Sequence, residues 1–292
     1  MNVVDSVEVL VPVHNALPEL RDCWAALSAH AGDRLVRVTF VDDASDVETR
    51  EWLEHIAQED PRVRILRNRS NKGYTKSVNL GLQDLVADAI VILNSDTLVT
   101  PGALDRLVAG INSSDDVAAV GPLSNAASWQ SIPRLKDDDG LFFINALPQG
   151  HTAGDIAEVL AQEFPAPQRP SVPVLNGFCT LFRAEAIRRI GLLDEKRFPK
   201  GYGEENDYCV RLSDAGYRLL VCEDAYVYHV KSASFGHETR VKLSRAGGKN
   251  FVKKHGQSRL DTMVAGVQAN PELADIRERV SRAFERRFGK AA

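Results

Sequence analysis

Short aliphatic and β-branched runs alternate with amphipathic stretches along the first hundred residues of the chain. Residues 7–13 form a β-branched run that predicts a strand, and residues 19–29 follow with Leu20, Trp24 and Leu27 at helical spacing. The same alternation predicts further strands at 36–41, 63–66 and 89–93 and further helices at 47–59 and 76–86. Strands that alternate with helices indicate an α/β fold, in which a mostly parallel, Rossmann-like sheet is flanked by helices.

Polar residues follow three of the predicted strands at the point where each strand ends. They are His14-Asn15, Asp42-Asp43 and Asn94-Ser95-Asp96. Each group alone is an ordinary turn signal. Because parallel α/β sheets bind ligands beyond the carboxyl ends of their strands, three such groups on one edge predict a ligand crevice there.

A glycine loop precedes the third predicted helix, with Gly73 before it and Lys76 near its start. Backbone N–H groups and a lysine in this arrangement favour a phosphate. The segment is not a Walker loop, and no G-x-G-x-x-G follows the first strand, which argues against a nicotinamide or flavin dinucleotide fold.

Composition narrows the class of protein. The 292 residues are 44% hydrophobic and 26% charged, typical of a soluble globular chain that forms one large α/β domain, with or without an appendage. The formal net charge of -4 gives no reason to expect a nucleic-acid partner. Scattered cysteines indicate reduced thiols, and the lack of a signal peptide or of a long apolar segment predicts a cytoplasmic protein.

Three carboxylates crowd together at Glu204, Glu205 and Asp207, just after a pair of glycines and beside a helix predicted to begin at Asn206. Like charges raise the pKa of at least one carboxyl group, which suits general-base catalysis near neutral pH. Acidic first turns are also common on ordinary exposed helices, so the cluster alone leaves both interpretations open.

Six motifs together resemble the family 2 glycosyltransferases, in order and in spacing, over residues 6–255. They are Val11-Pro12-Val13-His14-Asn15, Val41-Asp42-Asp43-Ala44-Ser45, Asn71-x-Gly73 with Asn79-x-Gly81, Leu93-Asn94-Ser95-Asp96, Gly203-Glu204-Glu205-Asn206-Asp207, and Tyr228-His229. The resemblance implies a GT-A fold and inverting transfer of a sugar from a nucleoside diphosphate to an acceptor hydroxyl. It also implies a nucleotide-sugar-binding half at 1–122, an acceptor-binding half at 123–255, and a helical extension at 256–292.

The resemblance also implies the donor site. Asp42 would accept the imide N–H of a uracil or thymine ring, which favours UDP or dTDP sugars, and Lys76 and Asn79 would lie near the phosphates and ribose. The full expected set is Pro12, Val13, Asn15, Asp42, Asp43, Asn71, Gly73, Lys76, Asn79, Asn94, Ser95 and Asp96.

A divalent cation, Mg²⁺ or Mn²⁺, is implied on the donor diphosphate, with Asp96 and His229 as its ligands. Asn94 departs from the family pattern, because many members have aspartate at this position and an amide brings no negative charge to a hard cation. A lone histidine such as His229 is otherwise most often a hydrogen-bonded core residue.

The family pattern makes the second acid of the cluster the catalytic base, which here is Glu205, with Glu204 and Asp207 as alternates. Glu205 would remove the proton of the acceptor hydroxyl as that oxygen attacks the anomeric carbon. The expected acceptor-side residues are Asn176, Gly177, Gly203 and Glu204.

A Pro-rich polar insertion at 122–173 is expected to lie beside the crevice and to contribute to acceptor specificity. Within it, Trp129 would either stack on a sugar or anchor its loop to the core. A predicted helix at 153–163 also belongs to this insertion.

The C-terminal segment predicts a basic amphipathic helix, with an apolar stripe of Leu273, Ile276, Val280, Phe284 and Phe288 between arginines. Such a helix docks on its own domain, lies on an anionic membrane where lipid-linked acceptors reside, or packs on a partner subunit.

The expected partners are a nucleoside-diphosphate sugar and a carbohydrate, lipid-linked or other hydroxyl acceptor, in polysaccharide, glycolipid or glycoconjugate synthesis. A sugar-nucleotide pyrophosphorylase would need a glycine- and arginine-rich loop after the first strand, which Pro12-Val13-His14-Asn15 is not. A non-catalytic sugar-nucleotide-binding protein of the same fold is the other alternative, because Asn94 and Glu205 depart from the commonest residues of the family.

Overall fold

The computed structural model describes residues 3–231 and 237–289; the outer limits of the predicted domains, at residues 1 and 292, fall outside these ranges. The strands are β1 (Val7–Val13), β2 (Leu35–Asp42), β3 (Val63–Arg67), β4 (Ala89–Leu93), β5 (Thr97–Val99), β6 (Val117–Leu123), β7 (Cys179–Arg183) and β8 (Arg218–His229). The helices are α1 (Leu17–His30), α2 (Val47–Glu59), α3 (Tyr74–Leu82), α4 (Ala103–Ile111), α5 (Ala153–Glu163), α6 (Ala184–Ile190), α7 (Glu204–Asp214), α8 (His237–His255), α9 (Gln257–Gln268) and α10 (Pro271–Phe288).

The strands form one eight-stranded sheet in the order β3-β2-β1-β4-β7-β6-β8-β5. Neighbouring strands pair in parallel from β3 to β4 and between β6 and β8, whereas β7 and β5 run antiparallel to their neighbours. The carboxyl ends of β1, β2, β3, β4, β6 and β8 therefore meet at one edge, where β5 and β7 begin. This edge holds the predicted strand-end residues.

Helices cover both faces of the sheet. On one face, α1, α2 and α4 bury residues such as Leu27, Leu53 and Leu107 against the sheet. On the other face, α3, α5, α6, α7 and α10 bury a second set of apolar residues. β4 is buried along its whole length, as expected of a central strand covered on both faces.

The observed element bounds lie within about two residues of the predicted ones, except at the end of α3. Helices α2 and α5 span the predicted residues, whereas α3 begins at Tyr74 and ends at Leu82. Beyond the helix, the Glu8 carboxylate accepts the Val86 N–H at 3.0 Å and holds that segment against β1. Helix α7 begins at Glu204 rather than Asn206, so the acidic cluster lies inside its first turn.

The apolar stripe of α10 packs on the protein's own core. Leu273, Ile276 and Val280 are buried with α5 residues. Arg279 lies 4.2 Å from the centre of the Phe164 ring and pairs with Glu163, so part of the basic face also faces α5. The docked arrangement is the one observed. Among the described residues, no helix is long and apolar enough to cross a membrane.

Candidate functional site

The loops after β1 and β2 are joined by hydrogen bonds at the carboxyl edge of the sheet. The Asp43 N–H donates to the Val13 carbonyl at 2.8 Å, and the Asn15 side chain accepts the Asp46 N–H at 2.8 Å. Asn15 has a φ of 57°, a left-handed conformation that asparagine tolerates better than most residues. The expected donor-side residues Val13 and Asn15 are therefore hydrogen-bonded to the loop after β2, and Pro12 lies beside Val41 of β2.

Asp42 is fully buried, and both of its carboxylate oxygens have partners. One oxygen accepts the Ser45 N–H at 2.8 Å, and the other accepts from Arg67 Nε at 2.9 Å. Arg67 ends β3, one strand away, and was not among the predicted site residues. The ion pair places a guanidinium group beside the residue expected to contact the base of the donor.

Asp43 holds the glycine loop. Its carboxylate accepts the Lys72 N–H at 2.7 Å, the Gly73 N–H at 2.8 Å and the Asn68 side-chain amide at 2.8 Å. Gly73 has a φ of 87°, and a Cβ at this position would lie 2.5 Å from the Pro199 carbonyl oxygen. Only glycine fits here, and the N–H groups of the loop point toward Asp43.

The other residues expected near the donor phosphates have different surroundings. The side chains of Asn71 and Lys76 are exposed. Asn79 is buried, and its amide group exchanges hydrogen bonds with the Leu193 backbone at 2.9 and 3.0 Å and donates to Glu195 at 3.0 Å. Asn79 therefore fastens the segment after α6 to α3.

Asp96 and His229 are brought together although they are far apart in the chain. Their Oδ1 and Nε2 atoms lie 3.3 Å apart, and both side chains are largely buried. His229 Nδ1 lies 3.1 Å from the Ala126 carbonyl oxygen, so Nδ1 carries a proton and donates it to that carbonyl. In the neutral ring, Nε2 then turns a lone pair toward Asp96. Phe178 stacks on the His229 ring at 5.3 Å and fixes its plane.

This pair fits a divalent cation. Two lone-pair atoms 3.3 Å apart repel unless a proton or a cation lies between them, and a carbonyl bonded to Nδ1 is a common way to orient a metal-binding histidine. The described residues contain no cluster of three or more His, Cys, Asp or Glu side chains suited to a metal. A cation here would take its remaining ligands from phosphate oxygens and water, as Mg²⁺ often does.

Asn94 and Ser95 connect this pair to the rest of the edge. The Asn94 N–H donates to the Phe178 carbonyl at 2.8 Å, and the Asn94 carbonyl accepts from Thr97 Oγ1 at 2.7 Å. The Asn94 and Ser95 side chains are half-buried. The backbone of Asn94 therefore fixes the turn that presents Asp96.

The acidic cluster at the start of α7 contains two adjacent glutamates in different surroundings. Glu205 is half-buried, and its Oε2 accepts the Gly203 N–H at 3.0 Å. Glu204 is buried, and its Oε2 has no hydrogen-bond partner among the described residues. Burial, and then the negative charge of Glu205, raise the pKa of Glu204 well above its ordinary value. Gly203 allows this turn, because its φ is 117°.

Asp207, the third acid of the cluster, belongs to a buried ion-pair group. Its fully buried carboxylate lies 3.0 Å from Arg211 Nε, 2.7 Å from His255 Nε2 and 2.5 Å from Lys254 Nζ. These contacts fasten α7 to the end of α8. Every carboxylate oxygen of Asp207 is engaged, unlike those of Glu204.

The segment Asn176-Gly177-Phe178 links the acidic cluster to the Asp96–His229 pair. A Cβ on Gly177 would lie 3.5 Å from the Glu205 Cβ, and the next residue carries the ring that stacks on His229. Tyr74 lies on the same side, with its hydroxyl 3.4 Å from the Gly177 carbonyl. Burial, followed by the charges of Glu204 and Glu205, raises the pKa of Tyr74 well above its ordinary value.

Two residues of the insertion hold Asn176 in place. The Asn176 N–H donates to the Gln130 side chain at 2.7 Å, and its side-chain amide donates to Ser128 Oγ at 3.1 Å. Ser128, Gln130 and Phe178 lie in segments expected to contribute to acceptor specificity, but the sequence predicts no individual role for them. Tyr74 is not a predicted site residue, and its only sequence signal is that it directly follows the glycine of the loop.

Comparisons with known proteins show which family and which relatives this chain is similar to. The profile of the family described as Glycosyl transferase family 2 matches residues 8–191. The chain is 27% identical over 265 residues to an N-acetylglucosaminyl-diphospho-decaprenol L-rhamnosyltransferase of Mycobacterium tuberculosis, covering 82% of this chain and 81% of that one. It is 26% identical to an N-acetylglucosaminyltransferase of Mesorhizobium japonicum, covering 82% of this chain and 54% of the relative.

The fold is similar to that of a solved structure. The mannosyltransferase PcManGT from Pyrobaculum calidifontis, solved in complex with GDP-Man and Mn²⁺, superposes with a TM-score of 0.62 at 18% identity, covering 96% of this chain and 75% of that chain. The predicted GT-A fold is confirmed by this likeness and by the sheet order.

Proposed function

The chain belongs to glycosyl transferase family 2, and from this premise we propose that it is an inverting enzyme that transfers a sugar from a nucleoside diphosphate to an acceptor hydroxyl. We place it in the cytoplasm, in the synthesis of a polysaccharide, glycolipid or other glycoconjugate. Residues 1–122 would bind the donor, residues 123–255 would bind the acceptor, and residues 256–292 would form a helical extension.

The observation that carries the proposal is the position of residues 176–178, which lie between Glu205 and the Asp96–His229 pair. Gly177 packs against Glu205, and Phe178 stacks on His229. A sugar that lies over this segment has a carboxylate on one side and the Asp96–His229 pair on the other. Acceptor activation and support of the leaving group need these two functions on opposite sides of the anomeric carbon.

Glu205 is the proposed base. It is half-buried, so its carboxylate can reach an acceptor, and the Gly203 N–H donates to its Oε2. Removal of the hydroxyl proton as the oxygen attacks contributes roughly 10²–10⁴-fold to such reactions. Attack from the face opposite the diphosphate inverts the anomeric configuration without a covalent intermediate.

Asp96 and His229 are the residues that would hold a divalent cation, Mg²⁺ or Mn²⁺, against the donor diphosphate. When bound, such an ion neutralises negative charge on the leaving diphosphate. The exposed Lys76 would add a second positive charge, and the Gly73 loop would lie near the ribose and phosphates. The Mn²⁺ of the PcManGT complex supports this assignment at the level of the fold.

The base of the donor would lie against Asp42, beside Pro12, Val13 and Asn15 at the carboxyl end of β1. The expected donors are UDP or dTDP sugars, because the Asp42 carboxylate is an acceptor suited to the imide N–H of uracil or thymine. Both Asp42 oxygens already accept hydrogen bonds, from Arg67 Nε at 2.9 Å and from the Ser45 N–H at 2.8 Å, so an imide N–H would use a second lone pair on one of them.

The test is a transfer assay with Glu205→Gln. We expect donor binding, measured by thermal shift with UDP-, dTDP- and GDP-sugars, to persist while transfer falls by at least about 10²-fold. Retained turnover would move the base to Glu204. A wild-type protein that binds donors but never turns over would favour the non-catalytic alternative.

The same assay tests the cation. EDTA should abolish donor-dependent stabilisation, and Mn²⁺ or Mg²⁺ should restore it in the wild type but not in Asp96→Asn. Donor affinity that is indifferent to both EDTA and cations would refute the assignment of Asp96 and His229.

A further inference from the structure

The insertion exposes an apolar segment that the proposed mechanism does not use. Residues 135–143 fold back on themselves, with backbone hydrogen bonds that join Asp137 to Leu141 and Phe143 to Leu135. We call residues 135–144 the apolar hairpin. Leu141 is 63% exposed, Phe142 42% and Ile144 52%, so this segment presents adjacent apolar side chains to solvent. Such patches commonly mark binding surfaces.

A cation without a carboxylate partner lies next to this hairpin. The Arg277 guanidinium donates to the Trp129 carbonyl at 3.0 Å, and among the described residues it forms no ion pair. The Trp129 ring packs edge-on against the Phe142 ring at 5.1 Å. Trp129 therefore joins the exposed apolar side chains to the unpaired guanidinium.

Arg277 differs in its surroundings from three other arginines of α10. Arg279 and Arg286 pair with Glu163, and Arg282 pairs with Glu278. Arg277 is half-buried, and burial lowers the pKa of its guanidinium, which still stays charged at neutral pH. A half-buried cation with a single carbonyl partner keeps donors available for an anion, and a planar guanidinium suits phosphate oxygens.

This surface adjoins the acceptor side of the proposed reaction. Trp129 lies between Ser128 and Gln130, the two residues that hold Asn176, and Asn176 precedes the glycine that packs against Glu205. A molecule bound at Trp129 and Arg277 is therefore next to the segment over which the acceptor hydroxyl must lie.

We propose that the apolar hairpin, Trp129 and Arg277 bind a lipid-linked phosphate acceptor, with the hydrocarbon chain on the hairpin and a phosphate on Arg277. This proposal rests on the proposed transferase function and specifies its acceptor class. The phosphate is recognised and not consumed, and the hydroxyl that is glycosylated lies on the far side of Asn176.

The charge of the hairpin favours a single lipid-linked molecule over an anionic membrane surface. Asp137, Asp138 and Asp139 precede the exposed apolar residues. Asp138 pairs with Arg134, whereas Asp137 uses its carboxylate to accept the N–H groups of Asp139 and Leu141. These acids would repel a bilayer of anionic lipids but would not oppose an isolated hydrocarbon chain.

The experiment measures binding of farnesyl phosphate, below its aggregation concentration, by titration calorimetry on the full chain. Parallel titrations use farnesol, inorganic phosphate and phosphatidylglycerol vesicles. We expect farnesyl phosphate to bind at least tenfold more tightly than either farnesol or inorganic phosphate, and the vesicles to bind no better than farnesol.

Arg277→Gln should weaken farnesyl phosphate binding at least tenfold, and Leu141→Ser with Ile144→Ser should weaken it several-fold. The matched control is Arg282→Gln, an exposed arginine on the same helix, which should bind as the wild type does. If Arg277→Gln lowers the melting temperature, Arg277→Lys and the hairpin variant still provide the test. Equal binding by the Arg277 and Arg282 variants, or tight binding to vesicles alone, would overturn the proposal.

Donor binding separates this proposal from the proposed function. Stabilisation by sugar nucleotides should be unchanged in Arg277→Gln. Farnesyl phosphate binding without any glycosyl transfer would retain the surface and refute the function. Transfer to acceptors that lack a lipid, together with no farnesyl phosphate binding, would retain the function and refute the surface.

Discussion

The acids on the two sides of the candidate site differ in how completely they are hydrogen-bonded. On the donor side, the carboxylates of Asp42 and Asp43 accept bonds on both oxygens, from Arg67, Ser45 and the glycine loop. On the acceptor side, Glu204 is buried with one oxygen unpartnered, and Glu205 accepts a backbone hydrogen bond from Gly203. Carboxylates whose oxygens are all hydrogen-bonded hold loops in place. A buried carboxylate with an unpartnered oxygen is kept at a free-energy cost, and such groups, with their shifted pKa values, are typical of catalytic sites.

Neutralising a bonded acid should therefore destabilise the fold, and neutralising an unbonded one should not. The largest effect is expected at Asp207, which belongs to α7 but is bonded like the donor-side acids. Asp207→Asn leaves Arg211 and Lys254 without their buried carboxylate, so we expect a loss of about 3–5 kcal/mol in unfolding free energy. Denaturant titration measures this loss.

The control for Asp207 is Asp214→Asn, at the other end of the same helix. Asp214 pairs with Arg259 on the surface, where such pairs contribute about 0–1 kcal/mol. Equal losses from the two substitutions would show that the burial of Asp207 does not set its contribution.

A smaller loss is expected at Asp43, on the donor side. Asp43→Asn retains the shape but replaces one accepting oxygen with a donor, so an N–H group of the glycine loop, that of Lys72 or Gly73, loses its acceptor. We expect a loss of about 1–3 kcal/mol and weaker donor binding, measured by denaturation and thermal shift.

Asp46→Asn is the matched control for Asp43. Asp46 caps α2 by accepting the Thr49 N–H, and asparagine caps helices about equally well. We expect no significant change in stability. Comparable losses at positions 43 and 46 would contradict a specific role for Asp43 in holding the glycine loop.

The smallest effect, and one of opposite sign, is expected at Glu204. Because the pKa of Glu204 is raised in the folded state, the folded protein retains a proton that the unfolded chain releases. Stability is therefore greatest below the ordinary glutamate pKa and falls as pH rises toward the raised value. Glu204→Gln should remove this decline and raise stability by about 1 kcal/mol at neutral pH.

Unfolding measured from pH 4 to pH 8 tests this effect, with Glu185→Gln as the control. Glu185 is an exposed glutamate in the first turn of α6, so its substitution should leave the pH dependence unchanged. A pH dependence that is the same in Glu204→Gln and in the wild type would contradict the raised pKa.

The sequence predicted the strand-helix order and the edge of the sheet where polar residues gather, because periodicity and turn residues are local signals. Residues 7–13 and 89–93 were identified as strands by their aliphatic runs alone. Strand β6 contains Gly121 and Pro122, and it was not predicted because its pairing comes from β7 and β8.

The bonding of individual site residues depended on partners far away in the chain. Asn79 was expected near the donor ribose, yet its amide bonds to residues 193 and 195, more than one hundred positions away. The difference between Glu204 and Glu205 likewise follows from burial of one side chain, which depends on how α7 packs. No spacing in the sequence contains that information.

The position of β7 in the sheet affects how the chain folds while it is being synthesised. β7 lies between β4 and β6 in the sheet, although β4 and β6 both precede it in the chain. On a ribosome, the outer edge of β4 therefore stays unpaired, and β6 has no neighbour in the sheet, until residues 179–183 have emerged. An open, fully apolar strand edge is an aggregation hazard during that interval. Nascent chains that stop before residue 179 should thus depend most on chaperones, and chains that extend beyond β7 should depend on them least.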